Sequence, residues 1–211
     1  MATKTERDIT PGDDSNPPAD VGSTRTDDTG TGAARMVGPL SGVVRLSLGW
    51  VFIWAFIDKL FGLGFATCRL EDGTVNALCE SAFLKGGSPT WGYLANATQG
   101  SETGTLFDWM APAGPAAPNL VDWLFMAALL LIGIGLLLGI AMWLSSISGA
   151  LLLTFMYLSG SVWPENNPFI DDHIVYALVL LLLAAMGAGR YLGFGRWWQG
   201  LDMVQRHAIL R

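Results

Sequence analysis

Four stretches of this chain are apolar enough and long enough to cross about 30 Å of hydrocarbon as helices: roughly residues 43–65, 121–143, 146–163 and 172–192. A bilayer offers the backbone no water to bond, so a span of this kind closes its hydrogen bonds within a helix. The predicted fold is therefore all-α, a four-helix transmembrane bundle. Trp123, Trp143 and Trp163 recur every 20 residues. At 1.5 Å per residue that interval is about 30 Å, which sets each indole at a membrane interface. The second and third spans should thus form a helical hairpin that turns around Leu144 to Ser148.

An even number of spans returns the chain to the side from which it starts. Arg25, Arg35 and Arg45 flank the first span, and Arg190, Arg196, Arg206 and Arg211 follow the last. The connection 164–171 carries no Lys or Arg, and the long connection 66–120 carries only Arg69 and Lys85. The positive-inside rule then predicts a multi-pass protein of the cell membrane with both termini cytoplasmic and 66–120 as a long extracytoplasmic loop between helices 1 and 2. Cys68 and Cys79 both fall in that loop. In an oxidising compartment they could close a short ring worth roughly 2 to 3 kcal/mol. A structural disulfide is the expectation, and a redox-active dithiol at the same place is its rival.

Residues 1–38 read as a disordered acidic cytoplasmic tail. As far as Ala34 it holds Glu6, Asp8, Asp13, Asp14, Asp20, Asp27 and Asp28 against Lys4, Arg7 and Arg25, among Pro, Gly, Ser and Thr. Such a stretch buries too little apolar area to offset its ordering entropy. Much of the net charge of −6 belongs to it. The membrane domain then occupies 39–200, followed by a short cytoplasmic C-terminal tail, 201–211. The first apolar run begins too late and is too long for a cleavable signal, so it reads as an uncleaved anchor.

Asp58 and Lys59 lie about two-thirds of the way along that first run. One ionisable side chain near the membrane centre costs about 2.5 to 3.5 kcal/mol on insertion scales, so two adjacent ones need partners. Neighbouring helix positions point about 100° apart, and the pair cannot simply face each other. Lys59 has a stem long enough to snorkel part of the way to the surface, whereas Asp58 does not. Arg45 shares a face with Gly49, Phe52, Phe56 and Lys59, and Trp50 and Trp54 form a neighbouring stripe. Close to the inner surface, Arg45 reads either as a snorkelling topology signal or as part of a site.

A second polar cluster precedes the last span, from Trp163 to His173. Pro168 breaks any helix, and Asp171 or Asp172 suits an N-cap. That leaves one aspartate and His173 at the outer end of the fourth helix, in the same leaflet as Asp58 and Lys59. The bland reading of His173 is a locally satisfied interfacial side chain. The sharper expectation is that Asp58, Lys59, Asp172 and His173 converge as catalytic groups, with Arg45, Trp50, Trp54 and Tyr176 binding substrate between them. Reduction of a quinone takes two electrons and two protons, so a proton-relaying carboxylate or imidazole beside an apolar slot suits that chemistry.

Other motifs are missing. There is no Cys-x-x-Cys, no pair of membrane-embedded histidines for haem, no glycine-rich phosphate loop and no nucleotide fingerprint. A bound redox metal or flavin would come from a partner. Gly135-x-x-x-Gly139 and Ser145-x-x-x-Gly149 permit close helix approach, most simply within the hairpin. In the outer loop, Ser88 to Leu94 and Thr105 to Met110 are aromatic-rich pieces suited to short interfacial helices.

Three stretches carry a resemblance to a known family. They are the first span with Arg45, Gly49 and Lys59; the Pro89 to Leu94 region; and Asn167-Pro168-Phe169-Ile170-Asp171-Asp172-His173-Ile174-Val175-Tyr176-Ala177 running on to Gly189-Arg190-Tyr191-Leu192-Gly193. Together they resemble the DoxX/DoxD-like family of small four-span membrane proteins. That family includes the larger subunit of thiosulfate:quinone oxidoreductase, and members linked to membrane complexes that handle thiol and oxidative stress. The resemblance implies a quinone-interacting oxidoreductase subunit that passes electrons from thiosulfate, or another sulfur or thiol donor, to membrane quinone. Membrane lipid, quinone and a second subunit or redox complex are the implied partners; no bound cofactor and no nucleic acid are expected. The alternative is a non-catalytic accessory or assembly subunit, whose intramembrane charges pair with a partner chain. A small-solute transporter is disfavoured, since no inverted repeat or broken helix is visible.

Overall fold

The protein is described here by a computed structural model covering residues 29–97, 103–162, 164 and 167–210. Its backbone is helical, with one isolated bridge, Arg69 to Val75, among the described residues. Four principal helices build it: α1 (Thr29–Phe61), α2 (Leu120–Leu138), α3 (Met142–Met156) and α4 (Asp172–Ala185). Short helices α5 (Gly195–Gln199) and α6 (Asp202–Arg206) follow. Three segments are long and apolar enough to cross a membrane: Ala34–Phe61, Leu120–Leu138 and Met142–Gly160. With 14 residues, α4 is shorter.

Helix α1 starts at Thr29, so residues 29–38, expected within the tail, are helical; the tail expected over 1–28 lies outside the described residues. Pro39 sits inside this helix, and its missing N–H leaves the Arg35 carbonyl without the usual intrahelical donor. At the other end Gly62 takes a left-handed conformation, φ +66°, and its amide donates to the Asp58 carbonyl at 2.6 Å. A side chain there would be strained, and would also strike the Cys68 sulfur.

Helix α2 begins in a reciprocal cap. The Asn119 side chain accepts from the Val121 and Asp122 amides, and the Asp122 carboxylate accepts from the Asn119 amide. It ends in a Schellman motif at Gly139, φ +73°, with Ile140 N–H donating to Gly135 O at 3.0 Å and Gly139 N–H to Leu136 O at 3.2 Å. The hairpin turn is therefore Gly139–Ala141, earlier than the expected Leu144–Ser148, which lies within α3. Glycine supplies the left-handed residue that the turn requires, and nothing in 144–148 interrupts a helix. Beyond Met156, α3 widens into a π-helical turn, Tyr157–Ser161. Trp163, the third indole of the expected interfacial series, lies outside the described residues.

Helix α4 starts at the Asp171 cap, whose carboxylate accepts from Ile174 N–H at 3.1 Å. It stops at Ala185 rather than near 192, and Gly187 and a 3₁₀ turn at Ala188–Arg190 continue the chain. The C-terminal segment is not a loose tail. Val204 is fully buried, and the Trp198 indole N–H donates to the Leu210 carbonyl at 2.6 Å.

Consecutive helices pack on one another, α1 on α2, α2 on α3 and α3 on α4. Their shared core includes Leu48, Phe52, Leu129, Ile132, Leu136, Leu180 and Leu183. Small residues bring the axes together, as expected where lipid is as apolar as the side chains. A methyl added at Gly49 would meet Leu136 and Leu137 at 3.0 to 3.1 Å, and one at Gly133 would meet Ile53 at 2.6 Å. The long connection from α1 to α2 covers one end of the bundle, called here the loop end. The α2–α3 turn lies at the opposite end.

Candidate functional site

Beneath the long connection lies a cavity of about 980 Å³. Its walls come from the first turns of α2 (Val121, Leu124, Phe125, Ala128), from α3 (Ser148, Leu152, Phe155, Met156) and from the loop. The loop contributes Pro89, Thr90, Tyr93 and Leu94 on one side and Phe107, Trp109 and Met110 on another. That volume is at the upper end of the range usual for small-molecule sites, and the lining is correspondingly apolar and aromatic.

Among the described residues, Lys59 is the one charged side chain in this lining. It stands on the last turn of α1, half-buried, with its ammonium 5.9 Å from the centroid of the Phe125 ring. No carboxylate lies within ion-pair distance of it among the described residues. The cavity thus joins an apolar slot to one cation.

Asp58, 1% exposed, turns the other way. Its two oxygens accept from the amides of Phe65 (3.0 Å) and Ala66 (2.9 Å). These bonds fold the chain back after α1 and set Ala66 and Thr67 into the cavity wall. The carboxylate is satisfied within its own turn, and this is how a charge so deep in an apolar segment is tolerated.

Arg45 is fully buried near the opposite end. One guanidinium nitrogen donates to the Leu136 and Leu137 carbonyls, the latter at 3.0 Å; the other donates to Tyr191 and Leu192 carbonyls at 2.9 and 3.0 Å. The last four carbonyls of α2 are then all accounted for: Gly135 and Leu136 by the Schellman amides, Leu136 and Leu137 by Arg45, and Leu138 by the Phe194 amide at 2.8 Å. A cation at a helix C-terminus also complements its dipole. Arg45 neither snorkels nor lines the cavity; it ties α1 to the end of α2 and to the segment after α4.

The expected convergence of four catalytic side chains does not form. Asp172 and His173 are absent from the cavity lining, and neither bonds to Asp58 or Lys59. Instead His173 Nδ1 lies 2.6 Å from Asp171 and 3.5 Å from Asp172. Ligand atoms of these three residues fall within 4.8 Å of one another, an arrangement that helix capping and the His173–Asp171 bond already explain. Trp50 and Trp54 stack at 5.7 Å, and Trp54 meets Phe65 edge-on at 4.9 Å. Neither they nor Tyr176 lines the cavity; Trp50 and Tyr176 are exposed on the bundle surface. Cys68 and Cys79 are joined as a disulfide in the loop.

Sequence reasoning missed Asp122. Fully buried, it accepts from the Ser88 hydroxyl (2.9 Å), the Thr90 hydroxyl (2.8 Å) and the Thr90 amide (2.9 Å) besides its capping bond. This carboxylate hooks the Ser88–Thr90 wall onto α2. Its local signal was the Asn119-x-x-Asp122 spacing ahead of an apolar run. Tyr93 was also passed over as a single residue: its hydroxyl donates to the Met156 carbonyl at 2.5 Å, pinning the loop to α3 just before the π-turn. Scans against protein-family models, curated proteins and solved structures find no match to this chain.

Proposed function

We propose that this chain is a four-span, DoxX-like membrane protein that acts as a quinone-interacting oxidoreductase subunit. One observation carries the reading: among the described residues, Lys59 is the single charged group lining a large apolar cavity close to the loop end. A quinone ring fits an aromatic-lined slot, and an ammonium group is a suitable donor to its oxygen. As two electrons arrive from thiosulfate, or another sulfur or thiol donor, Lys59 gives one proton to that oxygen and is reprotonated from the aqueous side, while the opposite quinone oxygen takes the second proton from water. Quinone plus two electrons and two protons then leaves as quinol. In this reading Asp58 positions the end of α1, and Asp172 and His173 stand outside the reaction.

In this reading the fourth span is α4, about 21 Å of rise over its 14 residues, followed by the left-handed Gly187 and the 3₁₀ turn Ala188–Arg190. By the positive-inside rule, Arg25, Arg35 and Arg45 about the first span and the arginines after the last favour cytoplasmic termini, with the cavity toward the extracytoplasmic face. The accessory-subunit alternative draws on intramembrane charges that seek a partner chain, and Arg45 and Asp58 already have partners within this one.

Quinone reduction by membranes with and without the chain, across several sulfur donors, tests the proposal. Lys59→Met should lower donor-dependent turnover by roughly two orders of magnitude. Undiminished turnover removes the assignment.

A further inference from the structure

Several residues that line the cavity also belong to the outer surface of the bundle. Leu120 is 71% exposed and Leu124 61%, one turn apart on α2; Leu151 is 54% and Phe155 53%, one turn apart on α3. Both pairs line the cavity, one from each helix of the hairpin, and keep more than half of their surface exposed. Farther along the same hairpin the helices touch, for a methyl at Gly135 would collide with the Ser145 hydroxyl. Thus α2 and α3 meet near the Gly139–Ala141 turn and part toward the loop end. A gap between two helices at membrane depth opens onto lipid, not water.

We infer that the gap between the loop-end halves of α2 and α3 is a lateral portal, through which a single-tailed amphiphile enters from the bilayer with its head at Lys59 and its tail left among the lipid chains. The lining reaches from Leu120 to Ala128 on α2, a depth of about 12 Å. That depth holds a head group and the first part of a tail, and the exposed leucines and Phe155 supply an apolar sill for the rest. Lys59 selects a head with an oxygen acceptor or a negative charge. The inference rests on the quinone reading for the identity of the head, and on the shape of the hairpin for the route.

The test uses the full chain in nanodiscs with three probes: a tailless benzoquinone, the same ring bearing a decyl chain, and nitroxide-labelled stearate. Leu124→Trp with Leu151→Trp narrows the gap at exposed positions. Because both leucines line the cavity, the readout is the difference between probes: the double variant should weaken the decyl probe and stearate about tenfold more than it weakens the tailless ring, and an equal loss for the ring and the decyl probe overturns the portal. Equal affinity of the decyl probe for both proteins overturns the portal and leaves the quinone reading standing. Stearate weakened by the double variant, with no quinone bound by the unaltered chain, keeps the portal and overturns the quinone reading. Binding of none of the probes overturns both.

Discussion

Two cations on one helix have opposite roles, and their partners explain why. Arg45 spends its guanidinium on four carbonyls from two segments, so Arg45→Met leaves several buried acceptors without donors. A loss of about 3 kcal/mol or more is expected in reversible unfolding, and Arg45→Lys should recover only part of it, because an ammonium cannot fork across both pairs. Lys59→Met should instead leave stability nearly unchanged, since no ion pair is lost. Asp58 provides a third comparison. In Asp58→Asn one side-chain oxygen remains to accept, so a cost of about 1 to 2 kcal/mol is expected with turnover retained per folded molecule. A collapse of turnover at full stability would restore Asp58 as a proton carrier.

At the scale of elements, the long connection is fastened at both ends by side chains rather than by repeated backbone pairing. Asp122→Ala removes the acceptor shared by Ser88, Thr90 and Asn119 and should free the Ser88–Leu94 wall from α2. Limited proteolysis would then cut within that segment while α1 to α4 stay intact, and destabilisation of about 2 to 4 kcal/mol is expected. Reducing Cys68–Cys79, a sequence separation of 11, releases a loop worth about 3 kcal/mol on the chain-entropy argument. Within that ring, the Thr74 hydroxyl and then its amide hold the exposed Asp72 carboxyl below its ordinary pKa. Its contribution is therefore present at neutral pH and lost as pH falls through the lowered value. The Thr74 amide shift should titrate below the ordinary aspartate range, and Asp72→Asn should abolish that titration.

For the molecule as a whole, how the helices diverge matters more than any one of them. Small residues hold α1 to α2 and close the hairpin at its turn, while the loop end stays open around the cavity. The proposed four-span topology predicts that a label at an exposed loop position such as Ala116 reacts from outside intact cells, and that a C-terminal tag is reached only after permeabilisation. Opposite accessibility would reverse the orientation and put the cavity on the cytoplasmic side.

The apolar runs by themselves predicted an all-α chain with four spans, and the helical fold with three helices of spanning length follows from them, because hydrocarbon leaves a spanning segment little other way to satisfy its backbone bonds. The cysteine pair and the Asp171 cap were likewise legible, each set by neighbours close in sequence. What tertiary structure alone decided is where each buried charge finds its partner. Arg45 meets carbonyls 91 to 147 residues away, and Asp122 meets hydroxyls 32 and 34 residues back. Such partners depend on which helix ends are brought together, and no periodicity along the chain records that. Asp58 was misjudged for the converse reason: its acceptors' donors lay only 7 and 8 residues ahead, beyond a left-handed glycine whose turn had to form before they could be reached.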